Sequence, residues 1–105
     1  MTSVKFLSNK ESLYGFEIKG HSSSDCDDFE GKIVCAAVSS AAYMTANTIT
    51  EIIGCECDIT VDDALMCVRV INPTKETQVV LSGLKLHLTE LSKQYSKRIR
   101  INTEV

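Results

Sequence analysis

An α+β fold, with elements in the order β-β-α-β-β-α-β and a mixed β-sheet packed with two helices, is what this sequence predicts. Three patterns lead there. Two pairs of short alternating runs, each joined by a polar turn, read as hairpins; two long apolar stretches have helical character; and the final residues return to period-two alternation. Hairpins that alternate with helices favour a layered packing in which helices cover a sheet. At 105 residues the chain suits a single domain, 1–105, with one sizeable core.

Val4 and Phe6, then Tyr14, Phe16 and Ile18, alternate with polar neighbours on either side of "SNKES", which gives the first hairpin. Gly20 ends its second strand. Ser22 to Gly31 follows, with three serines, three aspartates and a glutamate around one large apolar residue, Phe29, so an exposed and mobile loop is expected. From Lys32 to Ile53 the chain is rich in Ala, Ile, Val and Met without Pro or Gly, and Gly54 supplies a C-terminal stop, which places the first helix. Ala36, Ala37, Ser40, Ala41 and Ala42 would let that helix press closely on its neighbours. "CECDITV" and "LMCVRVI", separated by Asp62, Asp63 and Ala64, form the second hairpin. After "NPTKE", Val80, Leu84, His87, Leu88 and Leu91 recur at helical spacing and define the second helix, and "RIRINTEV" supplies the last strand.

Composition removes several functional classes. A net charge of −3 provides no basic field, so direct nucleic-acid binding is not expected. Ile33 to Thr50 carries no charge, yet Ser39, Ser40, Thr45, Asn47, Thr48 and Thr50 interrupt it, which favours a buried soluble helix over a membrane span. The opening Met-Thr-Ser-Val-Lys leads into alternating residues with no basic start and apolar signal core, so a cytosolic location is expected. The five cysteines, an odd number, are then reduced thiols by default.

The stretch "GHSSSDCDDFEGKIVCAAVSSA" sets His21 and Cys35 at the two ends of the acidic loop. Cys35 falls in the first turn of the predicted helix, where free N–H groups and the helix dipole favour a thiolate. The N–H groups of Cys35 and Ala36 could also hold the oxyanion of a carbonyl addition. His21, on the rim of the sheet, would meet Cys35 if the loop folds back on the helix start. The bland alternative is a small buried cysteine and a turn histidine. Spacing leaves both readings open.

The remaining candidates are structural. Cys55 and Cys57 share a strand face with Ile59 and Val61, which reads as sheet packing; no second cysteine pair completes a metal site, and neither metal nor cofactor is expected. Cys67 faces away from Met66, Val68 and Val70, while Cys26 in the acidic loop is oxidisable. His87, on the apolar stripe of helix two, reads as a half-buried or interface histidine. Val79 and Leu86 lie off that stripe and add apolar surface suited to a homodimer. Asp27 and Asp28 are placed to orient His21, though a solvated acidic loop is the simpler account.

"GH" before a short acidic loop, followed by "IVCAAVSSA", resembles the ribosomal-processing cysteine protease family, Prp, and the element order matches that family's fold over nearly the whole chain. The resemblance implies a bacterial endopeptidase with His21 as general base, Cys35 as nucleophile and Ser39 lining the substrate site. The implied substrate is the N-terminal extension of the large-subunit ribosomal protein numbered twenty-seven, with an apolar or aromatic residue before the scissile bond; homodimers are also implied. The loop would then order over bound peptide. One departure is Lys32, where the family pattern has Asp three residues before the cysteine, so no third catalytic residue is assigned. Lys32 could itself help hold a thiolate, or it could mark the alternative, a non-catalytic dimeric module that binds ribosomal protein or peptide.

Overall fold

The computed structural model describes residues 1–10, 12–21 and 28–104. The elements are β1 (Thr2–Asn9), β2 (Ser12–Lys19), α1 (Phe29–Asn47), β3 (Cys57–Asp62), β4 (Leu65–Val70), α2 (Lys75–Gln94) and β5 (Ile99–Glu104). This is the expected α+β order. Of the predicted loop, positions 22–27 lie outside the described residues, and with them Cys26, Asp27 and the mobility expected there.

The sheet order is β3-β4-β2-β1-β5, antiparallel throughout except that β5 runs parallel to β1. Register explains the core. Val4 stands opposite Ile18 and Ile101, Phe6 opposite Phe16, and Phe16 opposite Val68, so one face is apolar from strand to strand. That face packs with Val34, Val38 and Ala42 of α1 and with Leu81, Leu84 and Leu88 of α2. By area, burying a side chain of this size contributes about 1.5–3 kcal/mol. Where the β1–β2 register shifts between Leu7 and Ser8, the Gln78 side chain of α2 serves the backbone of Leu13. The Leu13 N–H donates to Gln78 Oε1 at 2.7 Å, and Gln78 Nε2 donates to the Leu13 carbonyl. A tie of this kind fixes α2 along β2.

Helix one departs from expectation at its start. It begins at Phe29 rather than Lys32, because Asp28 caps it: Asp28 Oδ1 accepts from the Gly31 N–H at 3.0 Å. Phe29, Glu30 and the buried Gly31 are helical, not loop. At the other end Thr48–Ile53 continues as a π-helical turn that closes on Gly54 at φ 81°. The hydroxyls of Thr48 and Thr50 donate to the carbonyls of Met44 and Ala46 there, drawing on acceptors the α-helical ladder would use, a pattern that loosens and bends helices. Phe29–Ile53 is apolar enough by composition to cross a membrane, yet Val34, Val38, Ala42 and Ile49 pack in the core beneath it.

Two surface expectations are corrected. Ile59 and Val61 are 42% and 53% exposed rather than packed, because β3 lies at the sheet edge, and only Cys57 and Cys55 reach the core margin. His87 is exposed, since the buried stripe of α2 runs through Thr77, Leu81, Leu84 and Leu88. Val79 and Leu86 are exposed as expected.

Candidate active site

Gly20 sends the chain out of the sheet with φ 88°, in the left-handed region, and a Cβ there would meet the Met1 carbonyl oxygen at 2.5 Å. Its N–H donates to the Ala64 carbonyl at 2.9 Å, tying the end of β2 to the β3–β4 turn. His21 follows directly, with its own carbonyl accepting from the Met1 nitrogen at 2.8 Å. The imidazole is exposed at the rim. Its Nε2 lies 3.8 Å from Asp63 Oδ1, but the Asp63 side chain is 96% exposed, so the attraction is weak.

Cys35 sits half-buried on the second turn of α1, and Ser39 follows one turn later on the same side of the helix. A cleft of about 160 Å³ between α1 and the sheet is lined by His21, Cys35 and Ser39 together. Thr2, Tyr43 and Val61 complete much of its wall. The three residues singled out in the sequence therefore open on one space. An imidazole and a thiol facing a common cleft, with a hydroxyl beside them, can perform nucleophilic attack with proton transfer. Among the described residues no group of three metal-ligating side chains assembles.

Part of the electrostatic argument for Cys35 is corrected. With Asp28 as cap and the Lys32 N–H already bonded to the Asp28 carbonyl, the N–H groups of Cys35 and Ala36 fall inside the helical ladder. They are not free oxyanion donors, and the dipole effect fades beyond the first turn. Among the described residues the exposed Ser39 hydroxyl, one turn beyond Cys35, is a donor on the cleft side of α1. Asp28 does not orient His21 either. Its carboxylate takes the Arg98 guanidinium at 2.5 Å, while Glu30 takes Arg98 Nε at 2.9 Å. Lys32 Nζ lies over the Phe29 ring, 5.8 Å from its centroid. Cys57, by contrast with a nucleophile, has its thiol pushed up by burial and, secondarily, by Cys55.

Asp63 and Val61 were not singled out from the sequence as site residues. The signal was present in "VDDAL": a hairpin tip whose strand β4 pairs with the end of β2, Leu65 opposite Lys19, must lie beside whatever follows Gly20.

Residues 1–100 match the family model described as cysteine protease Prp. The fold is shared with two structures of the essential ribosomal processing protease Prp from S. aureus. The one with a covalently linked product peptide has a TM-score of 0.87 at 24% identity, covering 99% of this chain and 100% of that one. The one with a substrate peptide gives 0.88 at 23%, with coverage of 99% and 100%. A Streptococcus mutans protein gives 0.87 at 23% identity, covering 98% of this chain and 93% of that one. None of the curated proteins matches.

Proposed function

This chain belongs to the Prp family of cysteine proteases, and from that premise we propose that it is a cytosolic endopeptidase of ribosome assembly. Its substrate in this reading is the N-terminal extension of the large-subunit ribosomal protein numbered twenty-seven. The observation that carries the reading is the single cleft onto which Cys35, His21 and Ser39 open. The S. aureus relative bound to a covalently linked product peptide supports a reaction that passes through a covalent enzyme–peptide bond.

His21 takes the Cys35 proton, and the sulfur adds to the scissile carbonyl, forming the C–S bond. The Ser39 hydroxyl, one turn away, donates to the resulting oxyanion. Collapse breaks the C–N bond as the imidazolium returns its proton to the departing amine. Water, deprotonated by His21, then adds to the thioester carbonyl, and the C–S bond breaks to restore the thiol. Removal of a preorganised, water-excluded donor costs about a hundredfold or more in rate, and loss of the exposed Ser39 hydroxyl is expected to cost less.

A homodimer belongs to the same proposal. The groove between α1 and α2, lined by Ala41, Met44, Val79, Val80, Leu84 and His87, leaves Met44 and Val79 67% and 69% exposed, apolar surface that a second copy would cover. Lys32 at the family's Asp position favours the rival, a non-catalytic module that binds the same peptide. Mass spectrometry of an extension peptide after incubation separates them. Cleavage by the wild type that is absent from Cys35→Ala is expected; binding without cleavage by the wild type establishes the rival.

A further inference from the structure

We infer that the outer edge of β3, unpaired among the described residues, takes up a basic, extended peptide as an added strand and delivers it to the cleft. The inference rests on the reading of that cleft as a protease site and specifies how its substrate is held.

The ladder shows which backbone groups the edge presents. Cys57 stands opposite Val70 in antiparallel register, and one step out the Ile71 N–H donates to the Glu56 carbonyl at 3.0 Å. Directly opposed residues that exchange such bonds alternate with pairs that do not. Glu56, Asp58, Thr60 and Asp62 therefore bond to the β4 side. Cys57, Ile59 and Val61 turn their N–H and C=O groups outward, and β3 is the outermost strand. Such an edge is a template for one more strand.

The side chains state what that strand carries. Ile59 and Val61 lie opposite Val68 and Met66, on the helix-facing side, yet are 42% and 53% exposed. Apolar residues at alternate positions of an added strand would cover them. Val61 and Asp62 also line the cleft with Cys35 and His21, so the edge leads directly to the thiol. Glu56, Asp58, Asp62 and Asp63 are all exposed along this edge and its turn, with Arg69 opposite Asp58 on β4. Their surplus negative charge selects lysine or arginine at the intervening positions.

A second copy of the chain fits the edge poorly. Antiparallel pairings of two β3 strands through their outward groups, centred anywhere from Cys57 to Thr60, oppose Glu56 to Asp58, Asp58 to Asp58, Glu56 to Asp62 or Asp58 to Asp62, and centring on Val61 leaves only the end of the strand paired. Like charges directly opposed destabilise a sheet.

The test uses full-length Cys35→Ala, which binds without turnover, and a nine-residue peptide alternating leucine and lysine. Amide exchange at Cys57, Ile59 and Val61 is expected to slow by roughly tenfold or more when peptide saturates. A counterpart with glutamate for lysine is expected not to bind. The double variant Asp58→Lys, Asp62→Lys is expected to weaken binding by about threefold to tenfold. Ile59→Pro removes an outward N–H without touching the β4 ladder and should weaken binding further; if it fails to fold, the charge variant carries the test. Unchanged exchange at those three amides with peptide bound overturns the inference, as does equal binding of the glutamate peptide. Slowing that tracks protein concentration without peptide assigns the edge to a second copy and also overturns it. Because the readout is binding by a variant that cannot cleave, it stands or falls separately from cleavage by the wild type.

Discussion

Arg98, in the turn between α2 and β5, closes on Asp28 at 2.5 Å, the residue that caps α1. One carboxylate thus holds the Gly31 N–H with Oδ1 and the guanidinium with Oδ2. The Arg98 pKa is raised by its hydrogen bonds to Asp28 and then Glu30. Asp28→Ala is expected to lower stability by about 0.5–2 kcal/mol through the lost cap alone. Thermal unfolding checks this, and an unchanged midpoint would contradict it.

Thiol reactivity at Cys35 should depend on His21 and not on the helix terminus, since Cys35 lies a turn deeper than the free N–H groups. In His21→Ala, alkylation of Cys35 by iodoacetamide near pH 7 is expected to slow by about tenfold or more, within the usual range for a lost base. Asp28→Ala should leave the rate nearly unchanged. The reverse order of effects would restore the helix-dipole account.

Cys57 should lag behind Cys35 in the same labelling experiment. Burial disfavours its thiolate and holds its pKa above the ordinary 9.0. The folded chain therefore keeps this proton longer than the unfolded chain. Stability from the neutral thiol is fully present below pH 9.0 and is lost as pH rises through the raised folded value. Quantifying each alkylated peptide across pH 7–10 checks the order, and earlier labelling of Cys57 would refute it.

Gly20→Ala should cost at least ~1 kcal/mol, the typical penalty for a Cβ in the left-handed region, with a contact against the Met1 carbonyl oxygen added to it. Turnover should fall as well, because His21 is aimed by that bend. An alanine variant with wild-type stability and turnover would show that the bend is dispensable.

Dimerisation through the α1–α2 groove is checked by sedimentation. Met44→Glu with Val79→Glu places charge on two exposed apolar positions and should shift a dimer to monomer. A wild-type monomer at micromolar concentration would remove the dimer from the proposal.

Much of this was legible because local pattern and tertiary context agree. Val4, Phe6, Phe16 and Ile18 alternate in sequence and line one core face in the sheet, and Gly54 ends the helical segment as its chemistry requires. The helix start was misplaced because Gly31 and Glu30 resemble loop composition, while the Arg98 partner that secures Asp28 comes from the far end of the chain. Strand order escaped reading for the same reason: alternation says that Ile59 and Val61 share a face, but only the position of β3 at the edge leaves them uncovered. His21 and Cys35 bracket one local stretch and so stand out in the sequence, Ser39 enters through the family resemblance, and all three line one cleft; Asp63 reaches His21 through sheet pairing.

The parallel pairing of β1 with β5 has a consequence for the time at which the cleft comes into being. Thr2 lines the cleft, and its N–H donates to the Arg98 carbonyl at 2.8 Å as its strand lies beside Ile99. β1 is therefore seated by β5, some ninety residues away along the chain. Contacts so distant along the chain close late, so the wall at Thr2 is set only once Ile99–Glu104 has paired with β1. A chain in which β5 is unpaired thus lacks one wall of the site, however complete its first hairpin and helices are.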